Sequence, residues 1–376
     1  EVCNGEVEAI VSDGNSNTIC VCEKKFTFDH VLDSTTTQAQ VYDRLCTDLV
    51  NASMEGFNVT IFCYGMTGSG KTYTMYECGN EDSMGIACRI FQAIHCTMTS
   101  PASRGVEEPQ SSNGIGATDD LQFLVQVSFC EIYCESVRDL LAPESSTTSC
   151  RVRQNEQGCF EVEGLRTVDV MNDVEMMEYM RTGSSRRAER CHTVNSQSSR
   201  SHAIFTITVR RLNNGHWTVS KLNLVDLAGS ENVLKSEVRG QGLLEAGKIN
   251  TSLLALGNVI NALTSRTQTH VPYRDSVLTK LLMDSLGGNA RTLMIATCAP
   301  AATFETEGLS TLRYAARVRS IKNTPHIKLD PKDEIIQGLR KELEKYRNVE
   351  RPPPALSGSS LSSGGGGSSG PFDPRL

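Results

Sequence analysis

The segment Gly65-Met66-Thr67-Gly68-Ser69-Gly70-Lys71-Thr72 constrains this 376-residue chain more than any other. It fits the pattern Gly-x-x-x-x-Gly-Lys-Ser/Thr throughout. An apolar run over residues 59–64 precedes it and reads as a buried strand, and a helix is expected after it. A strand, a glycine-rich loop and a helix in that order make a phosphate cradle. The glycines let successive backbone N–H groups turn inward, and the helix N-terminus adds a partial positive charge. Lys71 can then reach the β- and γ-phosphates of a nucleotide, and the Thr72 hydroxyl can ligate Mg²⁺. The competing reading, a chance Gly-rich turn, does not explain the flanking strand and helix.

Two later segments say what the nucleotide does. Asp226-Leu227-Ala228-Gly229-Ser230-Glu231 follows an apolar strand at residues 222–225. An Asp at the end of a buried strand beside a phosphate loop is placed to hold a magnesium shell. Taken alone, Asp226 reads better as a helix cap or turn residue. Gly229 offers a backbone N–H to a γ-phosphate with no side chain in the way. Asn195-Ser196-Gln197-Ser198-Ser199-Arg200-Ser201-His202 gathers hydroxyls, amides and a guanidinium just before another strand. By composition it would be a solvated Ser-rich loop. Together the three segments surround a nucleotide with groups able to sense its γ-phosphate, the layout of a nucleotide switch.

The rest of the chain fits a layered α/β domain. Strands are expected over residues 121–132, 203–212, 219–227 and 291–298, with hairpin chemistry at Asn213-Asn214-Gly215. Helices are expected over residues 243–264, 276–286 and 305–320. Residues 1–28 read as irregular strand and turn, and residues 99–120 as a long surface loop. Beyond Ile321, Asn323-Thr324-Pro325 breaks the helix, and residues 326–330 read as extended. Residues 332–347 form a charged helix whose Ile336, Leu339, Leu343 and Tyr346 are spaced as a short coiled-coil stripe. Pro352-Pro353-Pro354 stops it, and the Ser/Gly run over 357–370 reads as a flexible tail.

Composition closes off several classes. At 39% hydrophobic residues the chain is not globally disordered, and it lacks the apolar run of roughly 18 residues that a membrane span needs. A net charge of −7 argues against a dedicated nucleic-acid binder. The acids gather early: residues 1–120 hold 17 acids and 6 bases, so the remainder is mildly basic. The 14 cysteines are scattered, and neither Cys20-x-Cys22 nor the Cys130/Cys134 pair has a second half for a zinc site. They read as reduced, mostly buried thiols of a cytosolic protein.

The three nucleotide segments resemble the P-loop, switch I and switch II of the kinesin motor domain. Further stretches agree with that family: Phe26-Thr27-Phe28-Asp29-His30-Val31, Ile249-Asn250-Thr251-Ser252-Leu253, His270-Val271-Pro272-Tyr273-Arg274-Asp275-Ser276 and Leu286-Gly287-Gly288-Asn289-Ala290. The resemblance runs from about Phe26 to Lys332. Myosins share a related P-loop and switch, but their motor is far longer. A small GTPase would need an Asn-Lys-x-Asp guanine reader, which this chain lacks.

The resemblance implies a P-loop NTPase-type three-layer α/β/α sandwich around a central mixed sheet. It implies ATP and Mg²⁺ as ligands, with the cradle formed by Gly65, Met66, Thr67, Gly68, Ser69, Gly70, Lys71 and Thr72. Thr72 and Ser199 would complete the Mg²⁺ shell, with Asp226 acting through water. Asn195 and Ser198 would position the γ-phosphate and the attacking water, and Gly229 would sense that phosphate. Arg200 and Glu231 would pair to close the switches over ATP. Tyr73 stands where the family sets a residue against the adenine, although a core tyrosine is the alternative.

The resemblance also implies the microtubule as partner, a cytoplasmic, cytoskeletal location, and plus-end-directed movement. Lys235, Lys248, Arg274 and Lys280 would contact tubulin, within a segment, residues 232–291, whose seven bases and four acids leave +3. Such an excess suits an acidic lattice. Thr251 stands where the family often has Lys, which puts affinity for the track in question. The expected divisions are a motor domain at 1–322, a neck linker and short neck helix at 323–349, and a tail at 350–376. The neck helix permits a homodimer. The family's first core strand, with its Arg-x-Arg-Pro adenine contact, is expected before Glu1, which points to a fragment. A non-motile microtubule-binding relative and an unrelated P-loop ATPase are the alternatives.

Overall fold

The computed structural model describes residues 10–13, 16–100, 122–143, 149–155, 158–191, 200–213, 216–231, 241–265, 267–268, 270–327 and scattered positions between 335 and 343, without the side chains of 190–191 and 241–250. Contacts divide the chain into two units, Glu1–Asp330 and Pro331–Leu376. In the first, β1 (Ile10–Asp13), β2 (Thr18–Val21) and β3 (Lys24–Thr27) form a small antiparallel sheet. Within the stretch expected to be irregular strand and turn, the described residues thus pair as three regular strands. Its β2–β3 turn carries Cys22 and Glu23 at φ 48° and 58°. Helices α1 (Gln38–Leu45) and α2 (Thr47–Glu55) lead into β4 (Asn58–Tyr64), followed by α3 (Lys71–Tyr76) and α4 (Ile86–Thr99). Next come β5 (Gln122–Tyr133), β6 (Ser136–Asp139), β7 (Arg151–Gln154), β8 (Phe160–Glu163), β9 (Val168–Val170) and α5 (Asp173–Cys191). The chain continues through β10 (His202–Asn213), β11 (His216–Asp226), α6 (Gln241–Thr264), α7 (Val277–Leu281), β12 (Ala290–Ala296) and α8 (Glu305–Val318).

The central sheet runs β12-β4-β11-β10-β5-β6, with β9 added to β5. β4 is parallel to both its neighbours, with Leu222 opposite Val59 on one side and Ala290 opposite Asn58 on the other. β10 is antiparallel to β11 and β5. A parallel strand flanked on both sides must be covered on both faces, and β4 is buried from Val59 to Tyr64. Its side chains alternate between two cores. Val59, Ile61 and Cys63 join Ile86, Ile90, Phe91 and Ile94 of α4 and Met176 and Met180 of α5. Phe62 and Tyr64 join Leu256, Val259 and Ile260 of α6 and Tyr314 of α8. Tyr64 and Tyr314 stack at 4.1 Å between ring centroids. The result is the three-layer sandwich with a mixed central sheet.

The helix expected over residues 276–286 is instead two pieces. Ser276 and Thr279 form a capping box at the start of α7, and Leu282 ends it. A 3₁₀ turn over Met283–Ser285 follows. That tighter turn sets the Ser285 hydroxyl 2.8 Å from the buried Thr60 hydroxyl on β4. Most of the expected helix over 332–347 and the surface loop over 99–120 lie outside the described residues. In the second unit Ile336, Leu339 and Leu343 of the expected stripe are exposed.

Phe129 on β5 anchors the larger core. Its ring meets Phe205 edge-on at 5.2 Å and Tyr76 at 5.8 Å, and Gly183 of α5 packs so close that a Cβ there would strike it. Phe129→Ala is expected to destabilise the protein by about 3–5 kcal/mol, read as a lower denaturant midpoint at unchanged slope.

Candidate functional site

The site forms where β4 and β11 end side by side. Because Asp226 pairs with Cys63 across the parallel ladder, the loop after β4 and the loop after β11 leave the sheet together. Gly70 turns the first loop into α3 from a left-handed conformation at φ 99°, which a side chain would strain. Lys71 follows at once and is buried, with Nζ donating to the carbonyls of Gly65 at 3.0 Å and Met66 at 2.8 Å. Burial holds the Lys71 ammonium below its ordinary pKa, against the opposing pull of Asp226 and Glu231. The Thr72 hydroxyl donates to Asp226 Oδ2 at 2.7 Å. Ser69 Oγ is 2.7 Å from Thr297 Oγ1, just past β12.

The loop after β11 grips the first one. Ser230 N donates to the Gly65 carbonyl at 3.0 Å. The Glu231 carboxylate accepts from Thr67 N at 2.8 Å and from the Thr67 hydroxyl. Gly229 passes so close to Thr67 and Glu231 that a Cβ there would meet both. Among the described residues no ion pair joins Arg200 to Glu231: the carboxylate expected to close the latch rests on Thr67 instead. Asn195, Ser198, Ser199 and Lys235 lie outside the described residues, as does the side chain of Lys248. Tyr73 is 52% exposed, which rules out the core-tyrosine alternative. It lines a cleft of about 1060 Å³ with Ser69, Gly70, Thr74, His30 and Asp82.

Several site residues carry no local sequence signal. Arg187 of α5 is buried, with Nη1 2.9 Å from Asp226 Oδ2, Nη2 donating to the Ser201 carbonyl and Nε 4.0 Å from the buried Glu131. Burial works against its charge, but the carboxylates of Asp226 and Glu131, with Tyr76, together hold the guanidinium above its ordinary pKa. His202 is buried at the start of β10. Its Nδ1 accepts from Ala228 N at 3.0 Å, and its Nε2 lies 2.8 Å from the Ser252 hydroxyl on α6. Gln38 of α1 donates to the Tyr73 carbonyl at 2.9 Å. These contacts join residues 14 to 56 positions apart, so no local pattern could reveal them.

The residues present suit a hydrated magnesium ion. Asp226 Oδ1 is buried without a hydrogen-bond partner, and the Thr72 hydroxyl sits beside the other oxygen. A buried lone carboxylate oxygen next to a hydroxyl suits a hard cation that takes oxygen ligands.

Of the residues expected to face tubulin, Arg274 donates to Gln154 of β7 at 2.9 Å, and Lys280 of α7 is half-buried. Arg291, counted in the basic segment, lies over the Phe57 ring at 4.4 Å. After α8, Asn323 clasps the edge of the domain. Its Nδ2 donates to the carbonyls of Ser285 at 2.9 Å and Ala290 at 2.7 Å, and its Oδ1 accepts from Gly287 N at 2.8 Å. Thr324 N and His326 N add bonds to the Gly288 carbonyl and Asn289 Oδ1, and Ile327 packs on Gly56.

Burial, with Arg187 and Lys71 nearby, lowers His202 to a pKa of about 3 from 6.5. With Ala228 N–H donating to Nδ1, neutral His202 carries its proton on Nε2 and donates to Ser252. A depressed His pKa means the unfolded chain binds more protons, so stability is full above pH 6.5 and is lost as pH falls toward about 3. Thermal unfolding across that window should show this loss, and His202→Gln should flatten it.

The comparisons with known proteins agree over nearly the whole first unit. The kinesin motor domain family model matches residues 3–321. The chain is 41% identical over 345 residues to kinesin-like protein Klp68D of Drosophila melanogaster, covering 91% of this chain and 41% of that protein. It is 43% identical over 324 residues to the kinesin heavy chain of Syncephalastrum racemosum, covering 85% of this chain and 33% of that protein. It therefore spans well under half the length of these relatives. A solved structure, described as that of a fast kinesin with implications for its ATPase mechanism and interactions with microtubules, superposes with TM-score 0.76 at 39% identity, covering 87% of this chain and 89% of that one. The phosphate loop, the Asp226 strap bound to it and these matches have one explanation: the chain belongs to the kinesin family and carries its motor domain.

Proposed function

We propose that this chain is a microtubule-stimulated ATPase that converts ATP hydrolysis into movement along microtubules, directed toward the plus end. The observation that carries the reading is the direct attachment of the Asp226–Glu231 strap to the phosphate loop, through Thr72–Asp226, Ser230–Gly65 and Thr67–Glu231. A strap bonded to the cradle itself must rearrange when a γ-phosphate enters or leaves. Residues 65–72 supply N–H donors and the Lys71 ammonium to the phosphates, and Tyr73 offers a ring beside the cleft for the adenine. Magnesium, held by Thr72, Ser199 and, through water, Asp226, would neutralise charge building on the phosphate oxygens. Asn195 and Ser198 would orient the γ-phosphate and the attacking water.

In this reading Glu231 has two partners. Bound to Thr67 it occupies a cradle N–H; paired with Arg200 it frees that N–H and closes the switches. A carboxylate with two mutually exclusive partners is a bistable latch. His202 ties the strap at Ala228 to Ser252 on α6, so a shift in the strap reaches the long helix. Lys235 and Lys248, with Arg274 and Lys280, are proposed to meet the acidic microtubule surface. The Asn323–Ile327 segment, held by Gly287, Gly288 and Asn289, is the proposed neck linker whose docking turns ATP binding into displacement. The helix beyond it would allow two chains to pair.

ATP turnover measured with and without microtubules tests the proposal: stimulation is expected, falling as salt rises. Equal turnover in both arms would sink it, and tight microtubule binding without turnover would favour a non-motile binder. Lys71→Ala is expected to lose nucleotide binding. Glu231→Ala should keep nucleotide binding while turnover drops by about 100-fold or more, the scale on which a lost transition-state contact acts. Normal hydrolysis by the Glu231 variant would refute the latch.

A further inference from the structure

We propose that Cys78 and Cys88 are a reversible redox site, whose disulfide clamps the 79–85 loop at the mouth of the nucleotide cleft. Cys78 lies two residues past the end of α3, and Cys88 is in the first turn of α4. Their Sγ atoms stand 2.7 Å apart. Cys88 is fully buried and also faces the Glu77 carbonyl, whereas Cys78 is partly exposed. The pair thus has one sulfur that solvent reaches and one that only its partner reaches.

The surrounding backbone is already shaped for closure. Gly85 N donates to the Glu77 carbonyl at 2.8 Å, and a Cβ on Gly85 would press on the carbonyls of Thr74 and Met75. Arg89 reaches back to the carbonyls of Met84 at 3.1 Å and Glu81 at 2.7 Å. Asn80 and Ser83 close a turn between them. The two ends of the loop are therefore held together by polar contacts, so joining the sulfurs requires little loop movement. The Cys88 thiol hydrogen-bonds to Cys78, and Arg181 of α5 lies close by; both favour a thiolate on Cys78. The exposed member is accordingly the one suited to attack.

With oxidised glutathione as the oxidant, the Cys78 thiolate attacks one glutathione sulfur. A mixed disulfide forms and one glutathione thiolate leaves. Cys88, giving its proton to solvent, then attacks the Cys78 sulfur, and the second glutathione thiolate leaves. Each released thiolate takes up a proton, so two protein thiols are oxidised and one glutathione disulfide becomes two thiols. The reverse exchange restores the open loop.

The consequence rests on the nucleotide-site reading above. Asp82, inside the clamped loop, lines the same cleft as Ser69, Gly70, Tyr73 and Thr74. The α3 helix that ends at the disulfide begins at Lys71. Fixing the loop therefore restricts the cleft mouth and slows nucleotide exchange.

Trypsin places both sulfurs on one peptide, because residues 72–89 contain Cys78 and Cys88 and no other cysteine, with Lys71 before it and Arg89 at its end. The folded chain would be treated with oxidised glutathione, alkylated and digested without reduction. The expected product is peptide 72–89 lighter by two hydrogens and free of alkyl groups, reverting to the doubly alkylated form after dithiothreitol. Cys88→Ser should instead trap glutathione on Cys78. A doubly alkylated wild-type peptide, a stable glutathione adduct on it, or a link to another cysteine would overturn the site. Release of a fluorescent ATP analogue from the oxidised chain should slow several-fold and recover on reduction, with Cys88→Ser indifferent to the treatment. An unchanged release rate in the linked protein would overturn the gating. Failure of the reduced chain to bind nucleotide would strike the ATPase reading and leave the mass result standing.

Discussion

The hydrogen bond from Thr72 to Asp226 is the joint on which the site depends. It exists because β4 and β11 are parallel neighbours in register, with Cys63 opposite Asp226, so their C-terminal loops must leave the sheet at the same place. Parallel strands need long crossover connections, and this one carries about 150 residues of intervening chain. Anything that shifts the β4–β11 register by one position would turn Asp226 to the other face and uncouple the loops. The large core beneath, with Phe129 and Phe205 wedged against α4 and α5, is what fixes that register.

Around that joint the charges are balanced rather than buried singly. Lys71 and Arg187 face Asp226 and Glu131, two cations against two carboxylates, in a region from which water is nearly excluded. An unpaired ion there would be strongly unfavourable, and removing one partner of such a set is worse than replacing all of it by apolar groups. Yet Asp226 Oδ1 and Glu131 Oε2 stay without hydrogen-bond partners. The set is thus neutral but not saturated, and the remaining acceptors point to a cation or ordered water as part of the working site.

The cradle was legible in the sequence because its residues are contiguous: eight positions between a buried strand and a helix state a mechanism on their own. Asp226 and Gly229 were legible for a similar reason, since they end an apolar strand. The partners that hold them were not. Arg187 sits mid-helix in a run of charged residues and reads as solvated, but it is buried against Asp226, 39 positions away. His202 closes a polar stretch and gives no sign that its two nitrogens bridge Ala228 and Ser252. Such roles arise from which strands and helices become neighbours, a property of the whole sheet. The helix over 276–286 was misread because its apolar spacing continues past Leu282, while the Ser285–Thr60 contact, 225 positions apart, favours the tighter turn.

The same geometry ties the site to distant parts of the domain. Two segments leave the joint toward different structures: Glu231 ends on the cradle, and Ala228 is tied by His202 to α6. At the other end of β4, opposite Asn58, β12 begins at Ala290, whose carbonyl is held by Asn323. A strap displaced by the length of one hydrogen bond would be felt at the cradle and at α6 alike, since packed interfaces offer two arrangements and not a continuum. The polar clasp at Asn323 is built the same way, from directional bonds to Ser285, Gly287 and Ala290. Asn323 thus ties the chain just past α8 both to the turn before β12 and to the first residue of that strand, through bonds that fix direction as well as distance.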